Sequence, residues 1–187
     1  MTLDDLPDDI RHLAVRLPYR VGFYVSASDK TGGSDSDAAE MAALESIVTF
    51  YVEDFCKSEF AQAVMLETLQ GKSGWTMWQK DISAVPGEIR KVFDFLADKL
   101  ETKEKEAFKA NLLEIAMAVA QAYREFDVTQ PLPERVSVYL SILLARVKAL
   151  LRGQDIQSYD ALLNISRDER MAINLLADAL DSNFRIG

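Results

Sequence analysis

The chain has few of the residues on which most nucleophile and metal sites depend, since its 187 residues include one cysteine, Cys56, and one histidine, His12. A single cysteine cannot form an intramolecular disulfide or supply the thiolate cluster of a structural zinc site. One histidine gives no indication of a catalytic triad with that cysteine. We therefore interpret His12 as a partly exposed helical residue and Cys56 as a buried free thiol.

Positive charge and long apolar runs are also scarce. There are 21 basic residues against 30 acidic ones, and the net charge is −9. This balance disfavours nonspecific binding to nucleic acid, which needs a basic surface, and suits a cation or a basic partner better. No uncharged apolar stretch reaches about 18 residues, and the first residues lack the pattern of a secretory signal. We therefore expect a cytoplasmic protein.

Apolar residues recur at spacings of three and four along most of the chain, and no segment alternates with a period of two. Hydrophobic residues make up 49% of the sequence, enough to form a substantial core. We predict a single all-α domain over residues 1–187, a bundle of about eight helices. The predicted helices cover residues 6–17, 19–28, 41–55, 58–70, 86–100, 102–126, 133–151 and 166–180. Pro18 is predicted to separate the first two.

An acidic segment at residues 29–40 contains four carboxylates beside two glycines. The carboxylates belong to Asp29, Asp35, Asp37 and Glu40. Asp37 and Glu40 have the spacing of a capping box, which would make the segment a helix connection. The same oxygens could instead bind a divalent cation, Ca²⁺ or Mg²⁺. Both interpretations stay open.

The acidic segment fits an EF-hand loop only in part. With Asp29 at the first position, Glu40 falls at the twelfth, and predicted helices flank both ends. However, Ser34 stands where the sharp turn needs glycine, and Gly33 offers no side-chain ligand at the fifth position. If the segment binds a cation, its geometry differs from that of an EF-hand.

Two parts of the chain contain the same succession of an apolar segment, acidic residues and a predicted helix. Residues 21–33 form an apolar segment rich in small residues, followed by acids and a helix near Glu40. Residues 115–127 repeat this order, followed by Glu134 and another helix. This order predicts a duplicated helix pair, although helical bundles also contain such hairpins by chance.

This double pattern resembles the tellurite-resistance TerB-like family. The likeness rests on residues 26–29 with Gly32 and Glu40, on residues 118–122 with Glu134, and on residues 163–169. The second copy lacks the Asp-Gly pair of the family. The resemblance implies an all-helical, non-enzymatic binding or scaffold protein of a stress-response or membrane-peripheral complex. The alternatives are a metal-dependent hydrolase that uses the acidic segment, and a metal-free helical protein of interaction or oligomerisation.

Trp75 and Trp78 lie in the longest stretch without a predicted helix, between Gly71 and Val85. Exposed tryptophans are enriched at binding sites, so this stretch is the candidate partner-binding surface if the rings reach solvent. Alternatively, the two rings anchor the stretch to the helical core, since burial of aromatic rings is strongly favourable.

Overall fold

The computed structural model describes residues 1–28, 44–49, 58–125 and 165–186, and for residues 121–125 it describes the backbone alone. Regular structure in these ranges is entirely helical, which confirms the predicted all-α class. The α-helices are α1 (Asp8–Ser26), α2 (Glu59–Gln70), α3 (Trp75–Trp78), α4 (Val85–Leu96), α5 (Thr102–Glu125) and α6 (Arg167–Ala179). Residues 44–49 are also helical, and a 3₁₀ helix, Leu3–Asp5, precedes α1.

Helix α1 packs against each of the other long helices in the described ranges, α2, α4, α5 and α6. The predicted break at Pro18 is wrong, because Pro18 lies inside α1. A proline inside a helix costs about 3 kcal/mol, through a lost hydrogen bond and a clash with the preceding turn. Leu17, Val21 and Val25 are fully buried. Burial of each such side chain stabilises the fold by about 1.5–3 kcal/mol, so packing outweighs the cost of the proline.

Gly22 allows α1 to approach its neighbours closely. A Cβ atom at this position would overlap Leu44 Cδ1 and would lie only 3.2 Å from Val119 Cγ2. Carbon atoms in normal contact are about 3.5–4.0 Å apart. The missing side chain therefore lets α1 pack against both residues 44–49 and α5, which compensates for the low helix propensity of glycine.

Two predicted helix starts and one predicted helix end are confirmed. Ser58 Oγ accepts a hydrogen bond from the Ala61 amide (3.0 Å) at the start of α2. Ser166 and Glu169 form the predicted capping box of α6, in which each side chain accepts from the other residue's amide. Gly71 is the residue that follows the last turn of α2. Local capping chemistry thus places these ends.

Helix α4 is shorter than predicted, since it ends at Leu96 and not at Leu100. Leu100 is still buried, so the apolar spacing correctly identifies an inward-facing residue. Residues 97–99 form a turn before α5 begins at Thr102. The Lys105 ammonium group donates to the Ala97 carbonyl (2.8 Å), which satisfies a backbone acceptor in this turn.

Residues 111–120 of α5 are all buried, as expected for a helix predicted to be apolar on nearly every side. His12 is an exposed residue of α1. None of the helices in the described ranges is both long and apolar enough to cross a bilayer. Cys56, the predicted helix 133–151 and the second predicted repeat beyond residue 125 lie outside the described residues, so those predictions stay predictions.

Candidate partner-binding site in the tryptophan segment

Residues 71–84, here called the tryptophan segment, join α2 to α4. The sequence predicts an irregular connection, but the structure contains three short helices. They are a 3₁₀ helix at Lys72–Gly74, α3 at Trp75–Trp78 and a second 3₁₀ helix at Ile82–Ala84. Helices this short are marginal in isolation, so contacts with α1 must hold them in place.

Trp75 anchors the segment to the core, which is the second of the two alternatives given for the tryptophans. Its side chain is only 4% exposed. Its ring stacks on that of Tyr19 with 4.5 Å between centroids, and Nε1 donates to the Thr68 carbonyl (3.0 Å). The buried indole therefore has both its apolar face and its polar N–H satisfied.

Trp78 is only partly buried and lies across the turn at the end of α2. A Cβ atom at Gly71 would lie 2.7 Å from the indole, and one at Gly74 would lie 3.3 Å from its Nε1. On other sides the indole meets the edge of the Tyr19 ring (6.1 Å between centroids) and the Arg16 guanidinium (5.9 Å from its centroid). The absence of side chains at both glycines thus makes room for the ring.

Arg20 fastens the end of the segment to α1. Its guanidinium donates to the carbonyl groups of Trp78, Lys80 (2.8 Å) and Asp81 (3.0 Å). Its Nε also donates to the Glu88 carboxylate on α4 (2.8 Å). Arg20 is only 4% exposed, so its charge is buried but carries an ionic partner and hydrogen bonds.

The last turn of the segment has a strained backbone that these contacts hold. Asp81 has a φ of 51°, in the left-handed region that residues other than glycine adopt only occasionally and in which aspartate and asparagine are the usual exceptions. Its carbonyl is one of those bound by Arg20. Gln79 Nε2 donates to the Tyr19 hydroxyl (3.0 Å). Burial raises the pKa of the Tyr19 hydroxyl, and this hydrogen bond opposes part of that rise.

The apolar part of the surface that results is small, and its backbone is held in position by the contacts of Trp75 and Arg20. Met77 is 62% exposed, and in the sequence of α3 it stands between Trp75, which is buried, and Trp78, which is partly buried. Lys72 at the start of the segment forms an exposed ion pair with Glu45, which contributes little to stability. An exposed thioether and a partly buried indole, at consecutive positions of a backbone that is held in place, are suitable contacts for another apolar surface.

The sequence pattern does not identify the residues of α1 that support this surface, namely Arg16, Tyr19 and Arg20. The predicted helix end at Pro18 separates Arg16 from Tyr19 and Arg20, so the sequence pattern does not place these residues on one helix face. One signal was available. Arg20 is the single charge in the otherwise apolar stretch from Leu17 to Val25, and a lone charge in such a stretch requires partners.

The predicted metal ligands Asp29, Asp35, Asp37 and Glu40 lie outside the described residues. Within residues 1–28, 44–49, 58–125 and 165–186, no three His, Cys, Asp or Glu side chains are grouped as a metal site requires. The acidic segment therefore stays a sequence prediction.

Comparison with known proteins yields no match: no family model, no curated protein and no solved structure resembles the chain significantly. The TerB-like resemblance accordingly rests on the short motifs of the sequence.

Proposed function

We propose that this protein is a non-enzymatic binding or scaffold module of the TerB-like type that contacts a protein partner through Met77 and Trp78. The observation that supports this function is that an exposed methionine and a half-buried tryptophan are consecutive residues on a backbone that is held in place. Arg20 and Trp75 hold the backbone beneath these side chains. Binding through such a surface loses little conformational entropy, because the backbone is already ordered.

The chemistry of the surface favours a partner with an apolar patch or groove. Methionine adapts its shape to a partner because it is unbranched and polarisable, and tryptophan is enriched among residues that dominate binding energy. Met77 and Trp78 form a small area, which is typical of a transient contact or of one part of a larger interface. Membership of a stress-response complex, or of one at a membrane surface, belongs to the same proposal and follows from the resemblance alone.

A divalent cation at Asp29, Asp35, Asp37 and Glu40 is the second part of the proposal. Hard oxygen ligands concentrated in twelve residues are the donor set that Ca²⁺ or Mg²⁺ prefers.

The partner surface can be tested with two matched substitutions. Met77→Asp places a charge in the proposed contact, whereas Met171→Asp changes another exposed methionine, on α6, that is 55% exposed. Full-length protein is used to capture a partner from cells of its source, and the affinity of the purified partner is then measured. We expect Met77→Asp to weaken binding at least tenfold, which corresponds to about 1.4 kcal/mol. Met171→Asp should bind like the unchanged protein.

Trp78 provides a second readout of the same contact. Its emission should change when the purified partner binds, since the indole would become fully buried. Equal losses of binding in the two methionine variants, or unchanged emission at saturating partner, would contradict the proposed surface. Emission measured with lipid vesicles separates a protein partner from a membrane surface.

A further inference from the structure

A cavity of about 350 Å³ lies where the amino-terminal residues meet α2 and the start of α5. Its lining includes Leu3, Phe60 and Leu100, all of which are buried. Ligand pockets in proteins measure about 300–1,000 Å³, so this cavity lies at the small end of that range. The apolar lining can cover a hydrocarbon chain.

The lining also includes three glutamates, Glu59, Glu101 and Glu104. Glu59 and Glu101 are exposed. Glu104 is held in place, because its Oε2 accepts from Ser58 Oγ (2.7 Å) and from the Phe60 amide (3.0 Å). The hydrogen bond from Ser58 lowers the pKa of Glu104, with a smaller contribution from Phe60, so this carboxylate is ionised at neutral pH.

We propose that this cavity binds the side chain of a lysine from a basic segment of a partner polypeptide. The aliphatic stem packs on Leu3, Phe60 and Leu100, and the ammonium group meets Glu59 and Glu101. This arrangement matches a side chain that combines an apolar stem with a charged end. The net charge of −9 acts in the same direction, since it attracts a basic partner before contact.

An organic cation suits the cavity better than a metal ion for two reasons. The carboxylates of the cavity are not grouped as a metal site requires, within the part of the chain that the structure describes. Much of the lining is apolar, whereas Ca²⁺ or Mg²⁺ needs about six or more oxygen ligands, including water. The combination of an apolar lining and nearby carboxylates is therefore complementary to a lysine side chain.

The test uses a capped pentapeptide with a central lysine and the same peptide with norleucine, which keeps the stem and removes the charge. Each is titrated into the full-length, ¹⁵N-labelled protein, and amide shifts are followed by NMR. We expect the lysine peptide to shift the amides of Phe60, Ala63 and Leu100. The norleucine peptide should bind about tenfold more weakly, which is the effect of losing 1.4 kcal/mol.

Two charge-matched variants test the role of the carboxylates. Glu59→Gln with Glu101→Gln should weaken binding of the lysine peptide about tenfold. Asp98→Asn with Asp168→Asn removes the same charge from exposed positions outside the cavity and should leave binding nearly unchanged. Asp168 is a suitable control for Glu59, because each lies in the first turn of its helix.

Three results would overturn the proposal. They are the absence of shifts at Phe60, Ala63 and Leu100 at 10 mM peptide, equal binding of the norleucine peptide, and equal weakening in both variant pairs. Met77→Asp should bind the lysine peptide normally. A failure at the Met77 surface is therefore distinguishable from a failure at this cavity.

Discussion

At the scale of single residues, Arg20 is a buried side chain that holds the backbone of the tryptophan segment in place. Its guanidinium binds backbone carbonyls at Trp78, Lys80 and Asp81 and the carboxylate of Glu88. A guanidinium offers five N–H donors in a rigid plane, so it can bind several acceptors at once. Lysine, with a single compact ammonium group, could not reach the same set.

We predict that Arg20→Met destabilises the protein by about 3 kcal/mol. The substitution keeps the volume of the stem but leaves Glu88 and the carbonyls without their donor, and breaking a buried ion pair costs about 3–5 kcal/mol. Because the Glu88 side chain is 22% exposed, water replaces part of the lost interaction, and we expect a destabilisation at the lower end of this range. Urea denaturation measures the loss.

Arg90→Met is the matched control, because Arg90 is an exposed residue of α4. Surface substitutions of this kind change stability by about 0.5 kcal/mol or less. If Arg20→Met were as mild as its control, the hydrogen bonds of Arg20 would not be what holds the tryptophan segment.

At the scale of helices, the start of α2 is capped in part by a side chain from another helix, α5. The Ser58 hydroxyl accepts from the Ala61 amide and donates to Glu104 on α5, which also accepts from the Phe60 amide. A negative charge near the first turn of a helix is favourable, because the amides there lack helical partners. The start of α2 is thus capped by its own serine and by a carboxylate from 46 residues further along the chain.

We predict that Glu104→Gln destabilises the protein by about 1 kcal/mol at neutral pH. Glutamine can still accept a hydrogen bond, but bonds to a charged acceptor are worth about 1.5–3 kcal/mol and neutral ones about 0.5–1.5 kcal/mol. The measurement is urea denaturation at pH 7 and at pH 3. Glu106→Gln is the control, since the Glu106 side chain is 57% exposed and pairs with Lys109 at the surface.

The pH dependence of this difference has a definite sign. The folded-state pKa of Glu104 lies below the unfolded value of 4.5, chiefly because of the Ser58 hydrogen bond. Its contribution is therefore complete above pH 4.5 and is lost as pH falls through the folded pKa. The difference between the unchanged protein and Glu104→Gln should shrink at pH 3. A difference that stays constant from pH 7 to pH 3 would show that Glu104 does not act as an ionised cap.

At the scale of the whole molecule, the excess of acidic residues acts on a partner at the longest range, before contact. A net charge of −9 favours basic polypeptides and cations and disfavours nucleic acid. The acidic segment at residues 29–40 concentrates this charge. Binding of a cation there would raise the stability of the entire fold, since a ligand of the folded state shifts the unfolding equilibrium.

We predict that millimolar Ca²⁺ or Mg²⁺ raises the Tm of the protein and that Asp29→Asn removes the rise. A ligand at one hundred times its Kd adds about 2.7 kcal/mol of stability. For a chain of this length that corresponds to a rise in Tm of about 5–10 °C. Sodium chloride at equal ionic strength controls for screening, and Asp98→Asn controls for the loss of one charge. An unchanged Tm at millimolar cation would rule out the metal site.

Much of the helical architecture could be predicted because its causes are local. The spacing of apolar residues identifies the buried face of α5, and the Ser166–Glu169 capping box marks the start of α6. Pro18 shows where local reasoning fails. The free-energy cost of a proline inside a helix can be estimated from the sequence. The burial of Leu17, Val21 and Val25 stabilises the helix by more than this cost, but it depends on helices distant in the chain.

The sequence by itself therefore determined the all-α class, the helix caps at Ser58 and Ser166 and the acidic balance. Only the tertiary structure decided that Trp75 is buried and that Met77 is exposed. It also decided that Arg20 holds the end of the tryptophan segment. The physical reason is that capping and periodicity act within a few residues. The partners of a buried charge, the walls of a cavity and the exposure of a ring are instead set by residues that meet only after folding.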